Sequence, residues 1–89
     1  MIGTYVTLVR VYPGCTTRER VLVEACPGAT GNAPAILLRH HRLVAAPGRL
    51  VRVLDWSRPA ERAEHGLDGV WRVAPEVPGG PPGVVEWDA

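Results

Sequence analysis

The sequence contains no lysine and only one serine among its 89 residues. Without lysine the chain cannot carry the G-K-[ST] ending that a nucleotide P-loop requires, so the stretch PGATGNAP, residues 27–34, predicts a surface turn. All ten basic side chains are arginine. Together with the abundant Ala, Gly, Pro and Val, this bias is typical of a GC-rich coding genome, and it makes arginine a weaker indication of phosphate recognition than usual.

Few residues offer nucleophilic chemistry. The one serine, Ser57, lacks the G-x-S-x-G elbow of the hydrolases. Cys15, in the turn sequence PGCTTR, has Arg18 nearby and is the one candidate reactive thiol. Catalysis would also need a positioned base, and the histidines lie in distant segments. We therefore predict no catalytic residue and keep a small thiol-dependent enzyme using Cys15 as an alternative.

The sequence has no C-x-x-C pair to bind a metal ion. His40 and His41 are adjacent, and neighbouring residues of a strand point to opposite faces, so these two rings cannot readily chelate one ion. We predict neither a metal site nor a cofactor. A hairpin centred near Cys15 and Thr16 would place Cys26 opposite about Tyr5, too far from Cys15 for a disulfide, so both thiols are expected to be reduced.

Long apolar runs are also absent. No segment approaches the roughly 18 apolar residues of a membrane span. The residues after Met1 show no basic region, apolar stretch or cleavage site of a signal peptide. We therefore predict a cytoplasmic protein with no membrane partner.

Short apolar runs separated by glycine and proline dominate what is present. The chain has ten Gly and nine Pro residues, and their clusters punctuate runs with a period of two, as in all-β domains. TYVTLVRVY (4–12) and ERVLVEA (19–25) predict one hairpin. AILLRH and HRLVAA (35–46), as one long strand or two short ones, lead to a second hairpin turn at Pro47-Gly48.

These runs predict an all-β fold: a small antiparallel barrel or meander, SH3-like or OB-like, with five or six short strands. Residues 1–77 would form one small domain. Residues 78–89 would supply a Pro/Gly-rich connection and a C-terminal strand or tail. The segment 57–66 is the one helical candidate, since Ser57 can cap a helical turn, Pro59 fits its first turn and Gly66 can end it.

Charge is distributed unevenly along the chain. Residues 1–54 hold seven arginines and two acids, a balance of +5, whereas residues 55–89 hold three arginines and seven acids, a balance of −4. The acid-free stretch RHHRLVAAPGRLVR, residues 39–52, spans the second predicted hairpin. An odd spacing separates Arg39 from Arg42 and Arg49 from Arg52, so each pair should split between two faces. The candidate binding residues are Arg39, His41, Arg42, Arg49, Arg52 and Trp87.

Two classes of binding function follow. The first hypothesis is a small non-catalytic β module that binds another protein or itself, including a homodimer formed through the C-terminal strand. The alternative is binding of nucleic acid or another anion through the basic 39–52 hairpin, with an exposed aromatic ring as a stacking surface. The hairpin would lose this role if the acidic C-terminal segment neutralised it.

Overall fold

Eight strands in antiparallel pairs make up the fold, as seen in a computed structural model that describes residues 3–25 and 35–87. They are β1 (Tyr5–Tyr12), β2 (Cys15–Ala25), β3 (Ala35–Arg39), β4 (His41–Ala46), β5 (Arg49–Leu54), β6 (Glu61–His65), β7 (Trp71–Val73) and β8 (Gly83–Trp87). Six of them close a barrel in the order β1-β2-β3-β6-β7-β8, while β4 and β5 pair with each other as a separate two-stranded sheet, here called the arm. The expectation of a small antiparallel barrel is confirmed.

The first hairpin is tighter than expected. Tyr12 pairs with Cys15 across a two-residue turn in which Pro13 is followed by Gly14 with φ of 77°. A proline with its fixed φ followed by a glycine at positive φ is typical of a type II turn. The expected centre near Cys15 and Thr16 is therefore wrong by two residues. Cys15 is an exposed free thiol, whereas Cys26 and the predicted turn at 27–34 lie outside the described residues.

The second hairpin turns at Pro47-Gly48 as predicted, with Gly48 at φ of 75°. The preceding apolar run forms two strands in two different sheets, and His40 is the residue between them. The chain therefore leaves the barrel at His40, builds the arm, and returns to the barrel after Leu54.

Alternation with a period of two builds the core. Inward-facing residues of all six barrel strands form one buried cluster of Val6, Leu8, Val21, Val23, Ile36, Leu38, Ala63, Val73 and Val85. Gly83 belongs to this inner surface. A Cβ atom there would lie 2.7 Å from Leu8 Cδ1 and 3.4 Å from Val73 Cβ, so the close approach of β8 to the core requires glycine.

The helical turn expected at 57–66 is wrong, because Glu61–His65 forms β6 between β3 and β7. A helix here would bury little more than Ala60 and Ala63, whereas the strand completes the barrel and buries Ala63 fully. Tertiary pairing thus overrides the capping signals. Ser57 instead donates its backbone N–H and its hydroxyl to Asp55 Oδ1, at 3.0 and 2.5 Å. No described segment forms a helix that is long and apolar enough to cross a membrane.

The C-terminal strand lies between two strands of its own barrel. β8 pairs with β1 on one side and with β7 on the other, which closes the sheet. Trp71 packs against the core from a half-buried position. Trp87 is 38% exposed, with its ring edge-on to Trp71 at a centroid distance of 6.1 Å.

Candidate functional site

Charged side chains close one end of the barrel. The inward-facing register of three strands continues past the apolar core into ionisable residues. Arg10 follows Leu8 on β1, Glu19 precedes Val21 on β2, and Glu61 precedes Ala63 on β6. His40 occupies the same register just beyond β3, two residues after Leu38.

His40 is the centre of this charged end. Its side chain is 1% exposed and bonds two carboxylates, Glu19 through Nδ1 and Glu61 through Nε2, the latter at 2.5 Å. The Arg10 guanidinium, 4% exposed, donates to Glu61 at 2.8 Å and to Glu76 at 3.1 Å. Each of these buried cations therefore lies between two carboxylates.

Arg58 completes a closed circuit, since its guanidinium lies 3.3 Å from Glu19 and 3.9 Å from Glu76. The six members of this charge ring, in spatial order, are Glu19, His40, Glu61, Arg10, Glu76 and Arg58. Acids and cations alternate around the ring, so each charge has an opposite neighbour on both sides. Such mutual pairing offsets the large free-energy cost of removing isolated charges from water.

The ring shifts the pKa values of His40, Glu19 and Glu61. Hydrogen bonds to Glu19 and then to Glu61 outweigh burial and raise the pKa of His40 to about 9. The hydrogen bond from His40 lowers the pKa of Glu19. Burial works to raise the pKa of Glu61, but hydrogen bonds from His40 and Arg10 outweigh it and leave that pKa lowered. At neutral pH His40 is therefore an imidazolium between two carboxylates.

The root of the arm is attached to this ring. The carbonyl oxygen of His40 accepts a hydrogen bond from the backbone N–H of Asp55 at 2.8 Å, which joins the two chain crossings between barrel and arm. His41 points away from the ring, as predicted for adjacent histidines. Its Nδ1 donates to the carbonyl oxygen of Arg20 at 3.2 Å, and its ring stacks on Tyr5 at a centroid distance of 5.4 Å.

A basic cleft of about 320 Å³ lies between β2 and the arm root. Its described lining residues are Arg18, Glu19, Arg20, His41, Arg42, Leu43, Arg52 and Arg58. Glu19 is the one acid among them, and it already bonds His40 and Arg58. The described lining of the cleft thus has five guanidinium groups and one carboxylate, and two of the five are in ion pairs: Arg18 with Glu86, and Arg58 with Glu19 and Glu76.

Next to the cleft lies an aromatic pocket of about 330 Å³, lined by Tyr5, Arg20, His41 and Arg52. Two rings and two guanidinium groups form its walls. Arg52, Arg20 and His41 also line the basic cleft, so the two cavities share three lining residues.

The acidic residues described within 55–87 form ion pairs with part of the basic half, but none of them forms an ion pair with an arginine of the arm. Glu86 pairs with Arg18, and Glu61 and Glu76 pair with Arg10. Within residues 3–25 and 35–87, no carboxylate lies within 4.0 Å of a guanidinium nitrogen of Arg42, Arg49 or Arg52.

Arg42 has one acidic neighbour beyond that distance. The pKa of Asp55 is lowered first by the hydrogen bond from Ser57 and, more weakly, by the charge of Arg42. Asp55 is itself buried. The exposed surface of the arm therefore carries excess positive charge.

The cleft contains three of the six predicted binding residues: His41, Arg42 and Arg52. Arg39 lies elsewhere, where it donates to both Glu24 oxygens at 2.6 and 2.9 Å and stacks on Trp56 at 4.5 Å. Arg49 lies beside the arm turn and Trp87 on the barrel, and neither lines the cleft. Whether the six bind a partner stays a prediction.

Three cleft arginines were missed by sequence reasoning. Arg18 and Arg20 occupy alternate positions of β2 and therefore share a face, which is the outer one because Val21 faces the core. Arg58 was assigned to the helix that does not form. The charge ring was also missed, although Ile36, Leu38 and His40 show a polar residue in register with a buried apolar face.

Comparisons of the chain with protein-family models, with curated proteins and with solved structures found no match in any of the three. The chemistry of the site therefore rests on its own geometry. The described residues include no group of three or more His, Cys, Asp or Glu side chains placed to hold a metal ion. In the described part of the chain, no histidine ring is hydrogen-bonded to Cys15; His40 bonds Glu19 and Glu61, His41 bonds Arg20, and His65 packs on Trp71.

The charge ring predicts a loss of stability at alkaline pH. Because the pKa of His40 is raised from 6.5 to about 9, the native state binds more protons than the unfolded state between these values. The stabilisation is complete below about pH 6.5 and is lost as the pH rises through 9, at a cost of about 3 kcal/mol. Urea unfolding from pH 6 to 10 measures the loss of stability, and an NMR titration of the His40 ring measures its pKa.

Glu19→Gln removes one of the two carboxylates and should make the alkaline loss smaller. A His40 titration midpoint near 6.5, or equal alkaline losses in the wild type and in Glu19→Gln, would contradict this account of the ring.

Proposed function

We propose that this protein is a non-catalytic binding module that holds an anionic partner in the basic cleft. The observation that carries this proposal is a cleft lined by five arginines and one acid, in which Arg42 and Arg52 have no carboxylate within 4.0 Å among the described residues. Arginine presents a planar fork of donors that matches phosphate and carboxylate oxygens. A cavity lined by several such forks favours a partner with several negative charges.

The anchoring of the arm supports this proposal. His40 and Asp55 connect the two crossings of the arm, and the ring fixes His40 within the barrel. The wall of the cleft that carries Arg42 and Arg52 is thus held at a fixed position relative to β2. A preorganised site loses less conformational entropy when a partner binds.

The arginines of the cleft also predict that its affinity for an anion depends strongly on the salt concentration. An anion that binds exposed arginines releases counterions, so its affinity falls steeply as the salt concentration rises. We place this binding in the cytoplasm, where Cys15 would remain a thiol.

Linear polyphosphate is the probe that tests the cleft with least ambiguity, because it has charge but no rings. Arg42→Ala with Arg52→Ala should weaken its binding roughly tenfold at low salt and flatten the salt dependence. Fluorescence anisotropy with labelled polyphosphate at several salt concentrations measures this effect.

Arg49→Ala is the matched control, since Arg49 belongs to the same arm, has no ion pair with a described residue and does not line the cleft. Its effect should stay within about twofold. If the wild type fails to bind polyphosphate at low salt, or if Arg49→Ala weakens binding as much as the cleft variant, the proposal is wrong.

Self-association through the arm is a second candidate function. Leu43 and Leu50 are 61% and 66% exposed. Leu50 pairs with Ala45, which is two positions after Leu43 on β4, so Leu43 and Leu50 lie on the same face of the hairpin. A lone two-stranded sheet has two open edges and buries little apolar surface. The C-terminal strand is already paired on both sides, so the arm is the better route to a dimer.

Light scattering over a range of protein concentrations tests this candidate. A dimer should appear as the concentration rises, and Leu43→Ser with Leu50→Ser should abolish it by removing the apolar contact. Leu67→Ser is the control, because Leu67 is a fully exposed leucine outside the arm. A monomer at every concentration, or a dimer that survives the arm substitutions, would rule out this route.

A further inference from the structure

We infer that the anionic partner is a single-stranded nucleic acid, one base of which occupies the aromatic pocket while its phosphates lie in the basic cleft. This inference rests on the proposed function and names its ligand. It comes from the juxtaposition of Tyr5 and His41 with Arg52, which lines both cavities.

The aromatic pocket offers a stacked pair of rings at the protein surface. Tyr5 is 41% exposed, and its ring stacks with that of His41 at an interplanar angle of 29°. The hydrogen bond from His41 Nδ1 to the Arg20 carbonyl oxygen fixes the orientation of the imidazole. A nucleobase inserted here would extend an existing stack, and the rings would lose little freedom when it binds.

Cations border the same rings. The guanidinium carbon of Arg20 lies 5.6 Å from the centroid of the Tyr5 ring, and Arg52 forms another wall of the pocket. A ligand that combines a flat aromatic group with nearby negative charge would contact both the rings and the guanidinium groups. Nucleotides have both properties, whereas the acidic side chains of a protein have charge without an aromatic face.

The side chains that the two cavities share favour a strand over a mononucleotide as the ligand. Arg52, Arg20 and His41 line both of them, and Arg18, Arg42 and Arg58 extend the basic surface away from the rings. A chain with one base in the pocket would direct its following phosphates toward these arginines. In a duplex the bases are paired and stacked on each other, so a single strand is the form that can stack a base on protein rings.

The described lining of the aromatic pocket offers a base two rings and two guanidinium groups. Stacking on a ring and pairing of arginine with phosphate are both tolerant of sequence. We therefore expect little preference among bases and a strong dependence on salt.

The test compares two probes on one set of variants. The probes are a labelled oligouridylate of about 12 nucleotides and labelled polyphosphate, both measured by fluorescence anisotropy at low salt. Tyr5→Leu should weaken oligouridylate binding roughly tenfold through the loss of stacking, and it should change polyphosphate binding by less than about twofold. Tyr5→Phe retains the ring and should bind oligouridylate like the wild type.

Tyr12→Leu is the matched control, since Tyr12 lies at the other end of β1 beside the hairpin turn and does not line the pocket. It should leave both affinities unchanged. A circular dichroism spectrum and a urea midpoint for each variant show whether the barrel is intact, and the Tyr5→Phe result separates stacking from a general disturbance of β1.

The outcomes distinguish this inference from the proposed function beneath it. If the wild type binds neither probe, the basic cleft is not an anion site and both fail. If polyphosphate binds but Tyr5→Leu leaves oligouridylate affinity unchanged, or weakens both probes equally, the cleft stands and the stacked base is wrong. Tighter binding of a polyglutamate peptide than of oligouridylate, with no effect of Tyr5→Leu, would assign the cleft to an acidic protein.

Discussion

The hydrogen-bonded His40 imidazolium between Glu19 and Glu61 is the interaction on which the rest of this structure depends. A chain of 89 residues builds a small core, and its six barrel strands bury only a single cluster of mostly valine and leucine. One end of that barrel is closed by charge instead of apolar packing. Because removing one partner would leave a buried charge unpaired, the six members of the ring are interdependent.

The position of His40 in the chain links this ring to the surface. His40 is the one residue between β3 and β4, and it faces the barrel interior while His41, the next residue, faces outward onto Tyr5. The same short segment thus closes the barrel and forms a wall of both surface cavities. Glu19 has a similar double position, since it belongs to the ring and lines the basic cleft. Stability and the candidate site therefore share their structural support.

Local patterns predicted the strands well and the long-range contacts poorly. The alternating runs and the Pro-Gly turns predicted that both hairpins form, because period and turn chemistry are properties of neighbouring residues. The second turn was placed correctly, whereas the centre of the first was misplaced by two residues. The segment 57–66 showed the limit of such signals. Ser57, Pro59 and Gly66 suit a helical turn, but residues 61–65 form a strand because they pair with β3 and β7. The residues of this segment alone do not indicate these pairings.

The candidate site was predictable in part for the same reason. The acid-free stretch identified His41, Arg42 and Arg52, and the opposite directions of His40 and His41 followed from strand geometry. Arg39 does not line the cleft, because its guanidinium bonds Glu24 on the neighbouring strand β2. Arg18 and Arg20 line the cleft because β2 lies beside the start of the arm, where His41 donates a hydrogen bond to the carbonyl oxygen of Arg20. The charge ring could not be predicted from the sequence, because it forms where the ends of β1, β2, β3 and β6 meet. That meeting depends on the register of the whole barrel.

Ion pairs within the chain leave the excess positive charge of the surface on the arm. The described acids are engaged within the chain, seven in ion pairs and Asp55 with Ser57, whereas the arm retains three arginines without a carboxylate within 4.0 Å among the described residues. The central claim is that this excess charge and the stacked rings form one site. NMR mapping of the ¹⁵N-labelled protein with oligouridylate tests it most directly. The account predicts that the largest shift changes fall on Tyr5, His41 and Arg52 and that the turn around Leu67 stays unchanged; largest changes outside the two cavities would contradict it.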